Sequence, residues 1–419
     1  MIDARGDAGP VRLDGSPDGS LPDGDGGTAL HPEPYVEGAA HSPLTPFVVE
    51  SLRAVRAREV HDEAVFAKVG DSITVSQQFL HCFGGSSVEL DGRPLRAAID
   101  HFAAGDAAGA SPFERESLAA TVGWHAGRAL EGSPTALDQE VSALDPAFAL
   151  VMFGSNDIGI VTFEQYANNL LEIADELLER GIVPIFSTFP PRGDDASVNA
   201  EVPFWNLAVR AVAEARQVPL VDLHRALVDL PGFGLGPDEL HPSAFASGAC
   251  VLTSEALADG YNVRNLLTAE ALARVHAVLV EGGEAPDPPG APLQGAGTHD
   301  DPWVIDRLPF THGASTLFSE ERLLSLYSGC DSDSDESGPE RVYRLELDAP
   351  ATVRLNVFDR GETDIDLHVL SALDEGACVA RAHREVELAL AAGTHWVVLD
   401  TFVGSREFAG EYLLTIGAR

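Results

Sequence analysis

A chain of 419 residues is longer than one hydrophobic core usually organises, so two folded units with connecting segments are expected. Its 66 acidic against 27 basic side chains leave a formal net charge of −39, which repels nucleic acid and anionic membranes at long range and sets nucleic acid aside as a partner. No run approaches the roughly 20 consecutive apolar residues that cross a bilayer, and the first residues have neither the basic start nor the apolar centre of an export signal.

From Met1 to about Thr45 the chain is rich in Gly, Pro and Asp, as in Asp14-Gly15-Ser16-Pro17-Asp18-Gly19. So little apolar surface cannot offset the entropy of ordering, and residues 1–45 are expected to be a disordered spacer. In residues 46–282 short apolar runs alternate with long amphipathic ones. Val65 to Val69, Phe148 to Phe153, Ile182 to Phe186 and Val218 to Leu223 have the continuous apolar character of strands buried on both faces, as in parallel sheets. Between them, Thr162 and Gln165 have capping-box spacing. They start a helix whose stripe is Tyr166, Leu170, Ile173, Ala174, Leu177 and Leu178, closed by Gly181. A second helix is predicted over Phe204 to Arg216. This alternation predicts a doubly wound α/β domain.

A Pro-rich linker, residues 283–300, contains Pro286, Pro288, Pro289 and Pro292. Beyond it, in residues 301–419, the period becomes two: Ile365, Leu367 and Val369 alternate with Asp364, Asp366 and His368, and Val386, Leu388 and Leu390 repeat the pattern. With Arg341 to Leu347, Thr352 to Val357, Trp396 to Leu399 and Tyr412 to Ile416, these runs predict an all-β antiparallel sandwich. The four cysteines lack the paired CxxC spacing of a zinc site. Cys82 and Cys250 fall in the first unit and Cys330 and Cys378 in the second, which suits two intradomain disulfides and an oxidising compartment; four buried thiols in a cytosolic protein is the alternative.

Ligands of open α/β sheets bind beyond the carboxyl ends of the strands, and three polar segments occupy such places. The first strand empties into Gly70-Asp71-Ser72-Ile73, the second into Gly154-Ser155-Asn156-Asp157, and Asp238-Glu239-Leu240-His241 comes late in the same unit. A serine hydroxyl needs a base within hydrogen-bond reach and a group that orients the base. Asp238 and His241, three apart, can serve as carboxylate and imidazole on one turn. Taken singly, Ser72 reads better as a helix N-cap and His241 as a surface residue before Pro242; it is their combination with Asn156 and Asp238 that favours catalysis. Asp71, beside the serine, reads as a hydrogen-bonding loop residue. His81 and His224 read as structural histidines.

In this order along the chain, the three segments resemble the SGNH, or GDSL-type, hydrolase family, over roughly Ala64 to Gly282. The resemblance implies a flavodoxin-like three-layer fold and carboxylic ester hydrolysis through an acyl-enzyme, with no metal or organic cofactor. It makes Ser72 the nucleophile, His241 the base and Asp238 the orienting acid. The oxyanion would be held by the Ser72 N–H, the Asn156 amide and a glycine N–H, for which Gly109 in Gly109-Ala110-Ser111 is chosen over Gly105. Contact between Ser72 and His241 would also bring Cys82 and Cys250 together. Substrates left open are a small-molecule or polysaccharide ester, including a carbohydrate O-acetyl group, or a lysophospholipid or thioester with a longer acyl chain. Asp331, Asp333 and Asp335 alternate as in a calcium loop, but Val342 stands where a bidentate Glu is needed, so an acidic turn is expected.

Residues 301–419 resemble the bacterial pre-peptidase C-terminal domain in Glu340-Arg341-Val342-Tyr343-Arg344, Asp364-Ile365-Asp366-Leu367-His368 and Gly393-Thr394-His395-Trp396. That resemblance implies an exported or cell-envelope protein whose second domain serves surface attachment or polysaccharide contact; a module that only adds stability is the equal alternative. A non-catalytic surface-binding protein is the rival reading from another class.

Overall fold

The computed structural model describes residues 30–35, 38–85, 88–330 and 334–419. The α/β half consists of α1 (Pro46–Arg56), β1 (Asp62–Gly70), α2 (Ser72–Val75), α3 (Arg96–Ala103), α4 (Ala136–Leu144), β2 (Pro146–Met152), α5 (Asp157–Ile160), α6 (Phe163–Glu179), β3 (Val183–Ser187), α7 (Ala196–Ala215), β4 (Leu220–Val221), α8 (Leu223–Val228) and α9 (Gly260–Val275). Among the described residues its four strands run parallel in the order β1-β2-β3-β4. On the far side of β1, the Gly70 N–H donates to Ala119 O at 3.1 Å and the Thr121 N–H to Gly70 O at 3.2 Å. Chain order therefore reverses across β1, making its carboxyl end the switch point at which such sheets bind ligands. One face is covered by α6 and α7, which pack on each other, and the other by α9 with α3 and α8. The result is the three-layer arrangement predicted.

The four predicted strands all form, and β2 is buried along its whole length. The predicted first helix is α6, with both bonds of the Thr162–Gln165 capping box present and Gly181 at φ +78° after its end. Helix α7 starts at Ala196 rather than Phe204 and continues through Pro203. The Asp195 carboxylate accepts from the N–H groups of Ser197 and Val198 (2.8 and 3.1 Å), stabilising a first turn that proline would otherwise discourage.

The spacer expected over residues 1–45 requires correction where it is described; residues 1–29 lie outside the described residues. Tyr35 is buried, its hydroxyl donating to Val218 O at 2.9 Å and its N–H to Glu214 Oε2 at 2.8 Å. The Ser42 N–H donates to Leu220 O and the Asp222 N–H to Ala40 O (2.9 and 2.8 Å), so this segment closes the outer edge of β4. Tyr35 and Leu44 anchor it, two apolar residues in a composition that otherwise hides them. The Pro-rich linker is pinned as well: Asp287 accepts from the Leu44 N–H at 2.7 Å and from Arg274, and the Gly290 N–H donates to Glu33 at 2.9 Å.

The second half is a two-sheet β-sandwich of β5 (Trp303–Ile305), β6 (Phe310–Ser315), β7 (Arg341–Leu347), β8 (Ala351–Asp359), β9 (Ile365–Leu370), β10 (Cys378–Ala382), β11 (Glu385–Leu390), β12 (Gly393–Thr401) and β13 (Glu411–Ala418). Among the described residues the sheets are β10-β9-β12-β7-β5 and β11-β8-β13-β6. Leu345, Leu355, Leu367, Val397, Leu399 and Leu414 fill the space between them. The sandwich is mixed rather than wholly antiparallel, because β5 lies parallel to β7 at the sheet edge after the chain has crossed to the other sheet as β6. The alternation of β9 predicts an exposed polar face, yet Asp366 and His368 are buried. Tyr327 stacks on the His368 ring (centroids 3.5 Å apart) and Glu336 lies 2.6 Å from its Nε2, both supplied by the irregular segment between β6 and β7. The acidic turn expected at Asp331 to Asp335 lies outside the described residues for Asp331 and Asp333.

Cys82 is bonded to Cys250 and Cys330 to Cys378, one disulfide in each half as expected. The halves meet along α6 and α7. Phe163 packs edge-on against Phe358 at 4.8 Å, and Gly417 lies against Phe204. Around this contact Arg354 pairs with Glu201, Arg384 with Glu164, Arg360 with Glu172 and Asp175, and Arg216 with Glu411. Glu214, buried at the junction, accepts from Thr311 Oγ1 at 2.8 Å as well as from Tyr35. Among the described residues no helix is long and apolar enough to cross a membrane.

Candidate active site

The chain leaves the buried end of β1 at Gly70 and turns sharply into α2. Asp71, fully buried, makes that turn by accepting the Ile73 N–H at 2.9 Å, the loop role expected of it. Ser72 is thereby the first residue of α2, where a backbone N–H has no intrahelical acceptor. Its Oγ lies 2.9 Å from His241 Nε2.

His241 arrives on a tight turn. The Asp238 carboxylate accepts the N–H groups of Leu240 and His241 at 3.1 and 3.0 Å, and its other oxygen lies 2.7 Å from His241 Nδ1. The His241 N–H, with the imidazole and the Leu240 N–H, holds the Asp238 carboxyl down at about 2. A carboxylate facing Nδ1 keeps the ring proton there, so Nε2 is free to accept from the Ser72 hydroxyl. The turn is tied to its surroundings by Gly236 N–H to His241 O at 2.7 Å and Gly193 N–H to Glu239 O at 2.8 Å.

The third segment follows β2. Gly154 has φ +133°, and a Cβ there would lie 2.0 Å from the Phe189 ring, so only glycine fits. Asp157 is buried and accepts the N–H groups of Gly154 and Ala126 (3.0 and 2.8 Å); burial pushes its carboxyl up to about 7 against those bonds. Asn156 Nδ2 donates to Trp124 O at 3.0 Å and lies 3.5 Å from Asp71 Oδ2. Asn156, Asp71 and Ser72 thus share one floor. Burial likewise pushes Asp71 up to about 6, opposed by the Ile73 N–H and the cationic Arg264.

Ser72, Asn156, Asp238 and His241 are therefore brought together, and Gly109 is not. Gly109 has its N–H committed to Asp106 at 2.6 Å. Its loop is anchored at Gly105, whose Cβ position abuts Ala64 O near the start of β1. At about 3.3 Å per residue along β1, that is the opposite edge of the sheet from Ser72. Gly123 follows the segment that pairs with Gly70, precedes the Trp124 whose carbonyl holds Asn156, and has an exposed backbone with φ +78°. Its signal is spatial: the chain returning alongside β1 must pass the nucleophile turn.

Residues 69–246 match the family model of the GDSL-like Lipase/Acylhydrolase family. Over these residues the α/β half is similar to that family. The chain is accordingly an ester hydrolase. No curated protein sequence matches it. Solved structures similar to the hydrolase half include a GDSL-like lipase from Bacteroides thetaiotaomicron, at 16% identity over 54% of this chain and 98% of that one with a TM-score of 0.34. Another is an acetylxylan esterase from Geobacillus stearothermophilus, at 17% identity over 51% and 94% with a TM-score of 0.33. The pre-peptidase C-terminal domain of a collagenase from Bacillus anthracis aligns over 27% of this chain and 91% of its own length at 14% identity, TM-score 0.19.

Proposed function

We propose that the hydrolase cleaves carboxylic esters by covalent catalysis at Ser72. The observation that carries this reading is the hydrogen-bonded chain Ser72 Oγ–His241 Nε2 (2.9 Å) and His241 Nδ1–Asp238 (2.7 Å), set at the switch point of the sheet. Ser72 Oγ attacks the ester carbonyl carbon while its proton passes to His241 Nε2, and the oxyanion accepts from the N–H groups of Ser72 and Gly123 and from Asn156 Nδ2. As the tetrahedral species collapses, His241 returns the proton to the departing alcohol. Water then gives a proton to His241 and its oxygen attacks the acyl-serine carbonyl, releasing the acid and restoring Ser72. Asp238 stays ionised throughout and stabilises the imidazolium.

For the substrate, a short acyl ester on a bulky alcohol, such as a carbohydrate O-acetyl group, is supported by the openness of the base: the side chains of His241 and Asp238 are 36% and 55% exposed. A longer acyl chain is the second reading. It is supported by Val75, Val122 and Ile160, exposed aliphatic residues in the segments that carry Ser72, Gly123 and Asn156. Two disulfides support export to an oxidising compartment, where the sandwich would contact a cell surface or polysaccharide. Turnover of p-nitrophenyl acetate through decanoate by the parent, Ser72→Ala and His241→Ala proteins tests the reading. Loss of about four or more orders of magnitude in kcat is expected of each variant. Parental turnover in folded Ser72→Ala would sink it, and the preferred chain length decides between acetate and longer acyl groups.

A further inference from the structure

Helix α2 is a single turn, too short to hold its own geometry, and the group that secures it comes from α9. Arg264 is 3% exposed. Its Nη1 donates to Ile73 O at 2.7 Å, its Nη2 to Thr74 Oγ1 at 3.0 Å, and its guanidinium carbon lies 3.5 Å from the centre of the Phe79 ring. Tyr261, one helical turn away, adds its hydroxyl to Ile73 O at 3.3 Å. Among the described residues no carboxylate reaches Arg264 at ion-pairing distance, and burial draws its pKa down to about 10. A buried guanidinium without a contacting counter-ion is costly, and an apolar residue of similar volume would fill the same space more cheaply. What the apolar residue could not do is fix two consecutive residues of the turn through a rigid fork.

The same helix face also holds the chain on the base side. Asn265 accepts the Leu80 N–H at 2.9 Å and donates to Gln78 O and Ala249 O at 2.8 and 3.1 Å. Asn262 accepts the Phe245 N–H at 3.0 Å and donates to Gly248 O and Val251 O at 3.0 and 2.8 Å. One rigid helix therefore carries both the segment after Ser72 and the segment after His241.

We propose that Arg264 is a positioning residue for the hydrolase: through Ile73 and Thr74 it sets the Ser72 hydroxyl and N–H against His241. The inference rests on Ser72 being the nucleophile. It is tested with the full-length protein carrying Arg264→Ala or Arg264→Lys, beside Ser72→Ala and the buried-arginine control Arg210→Lys, whose guanidinium pairs with Asp222 at 3.1 Å. Readouts are kcat and KM on p-nitrophenyl acetate, the rate of Ser72 sulfonylation by phenylmethanesulfonyl fluoride, and the melting temperature.

Displacing the turn by about 1 Å is expected to cost about 10²-fold in kcat and in sulfonylation rate, with KM changed less than about twofold. Methylguanidinium should restore part of the rate to Arg264→Ala, and Arg210→Lys should lose stability without that loss of kcat. If Arg264→Ala does not fold, Arg264→Lys decides, since its ammonium keeps the charge and lacks the fork. Parental kcat and sulfonylation rate in a folded Arg264 variant would overturn the proposal while leaving Ser72 intact. Parental turnover by Ser72→Ala would instead remove the reading beneath it.

Discussion

At the scale of single residues, specific bonds place Asp71, Asn156, Asp238 and His241 around Ser72. Gly123 and Asn156 are the donors proposed for the oxyanion, and their removal tests that proposal. Asn156→Ala should lower kcat by about 10²–10³ with little change in KM, because the amide acts on charge that exists only in the transition state. Gly123→Ala should give a smaller loss, since it displaces the N–H without deleting it by forcing a side chain into the left-handed region at φ +78°. Steady-state kinetics on one short ester measures both, and a rise in KM at constant kcat would argue for ground-state contacts instead. Asn156, Asp238 and His241 were legible beside Ser72 because each lies in a short block whose chemistry is local. Gly123, the glycine proposed as a donor, was not, since a backbone donor has no side chain to mark it and it is suggested only by the pairing of residues 119–121 with Gly70.

Among the elements, legibility followed continuity of apolar pattern. The parallel strands and α6 could be read directly because their buried faces are made by their own residues. The first turns of α7 could not, because Pro203 signals a break that the Asp195 cap outweighs. Nor could the buried polar face of β9, which depends on a covering segment with no periodicity. The disulfide Cys82–Cys250 also acts at this scale. It closes a loop of 168 residues between the segments that follow Ser72 and His241, which α9 already holds. Replacing both cysteines by serine should lower stability by about 2–4 kcal/mol in denaturant titration. Turnover near the new midpoint should fall before the sandwich, with its own disulfide, unfolds; coincident loss of both halves would mean that the bridge stabilises the molecule as one unit.

For the whole molecule, the junction is the distinctive feature. Glu214 lies where the N-terminal segment, α7 and β6 meet, and burial pushes its carboxyl from an ordinary 4.5 up to about 8. Between those values the folded state binds a proton that the unfolded chain has released, so Glu214 takes stability away as pH rises through the window and restores it as pH falls. Glu214→Gln should therefore melt like the parent near pH 4.5 and above it at pH 9, with the parent losing up to about 1.4 kcal/mol per pH unit in between. Equal slopes for the two proteins would show that Glu214 is ionised in the folded state from the start.

The way residues 283–300 are pinned has a further consequence. With Asp287 fastened to Leu44 and Arg274, Gly290 to Glu33, and arginine–carboxylate pairs bracing the sandwich against α6 and α7, the peptide between the halves is not what keeps them together. A protease that cuts there would leave two fragments that still migrate as one particle and still hydrolyse esters. The severed chain would come apart only on denaturation.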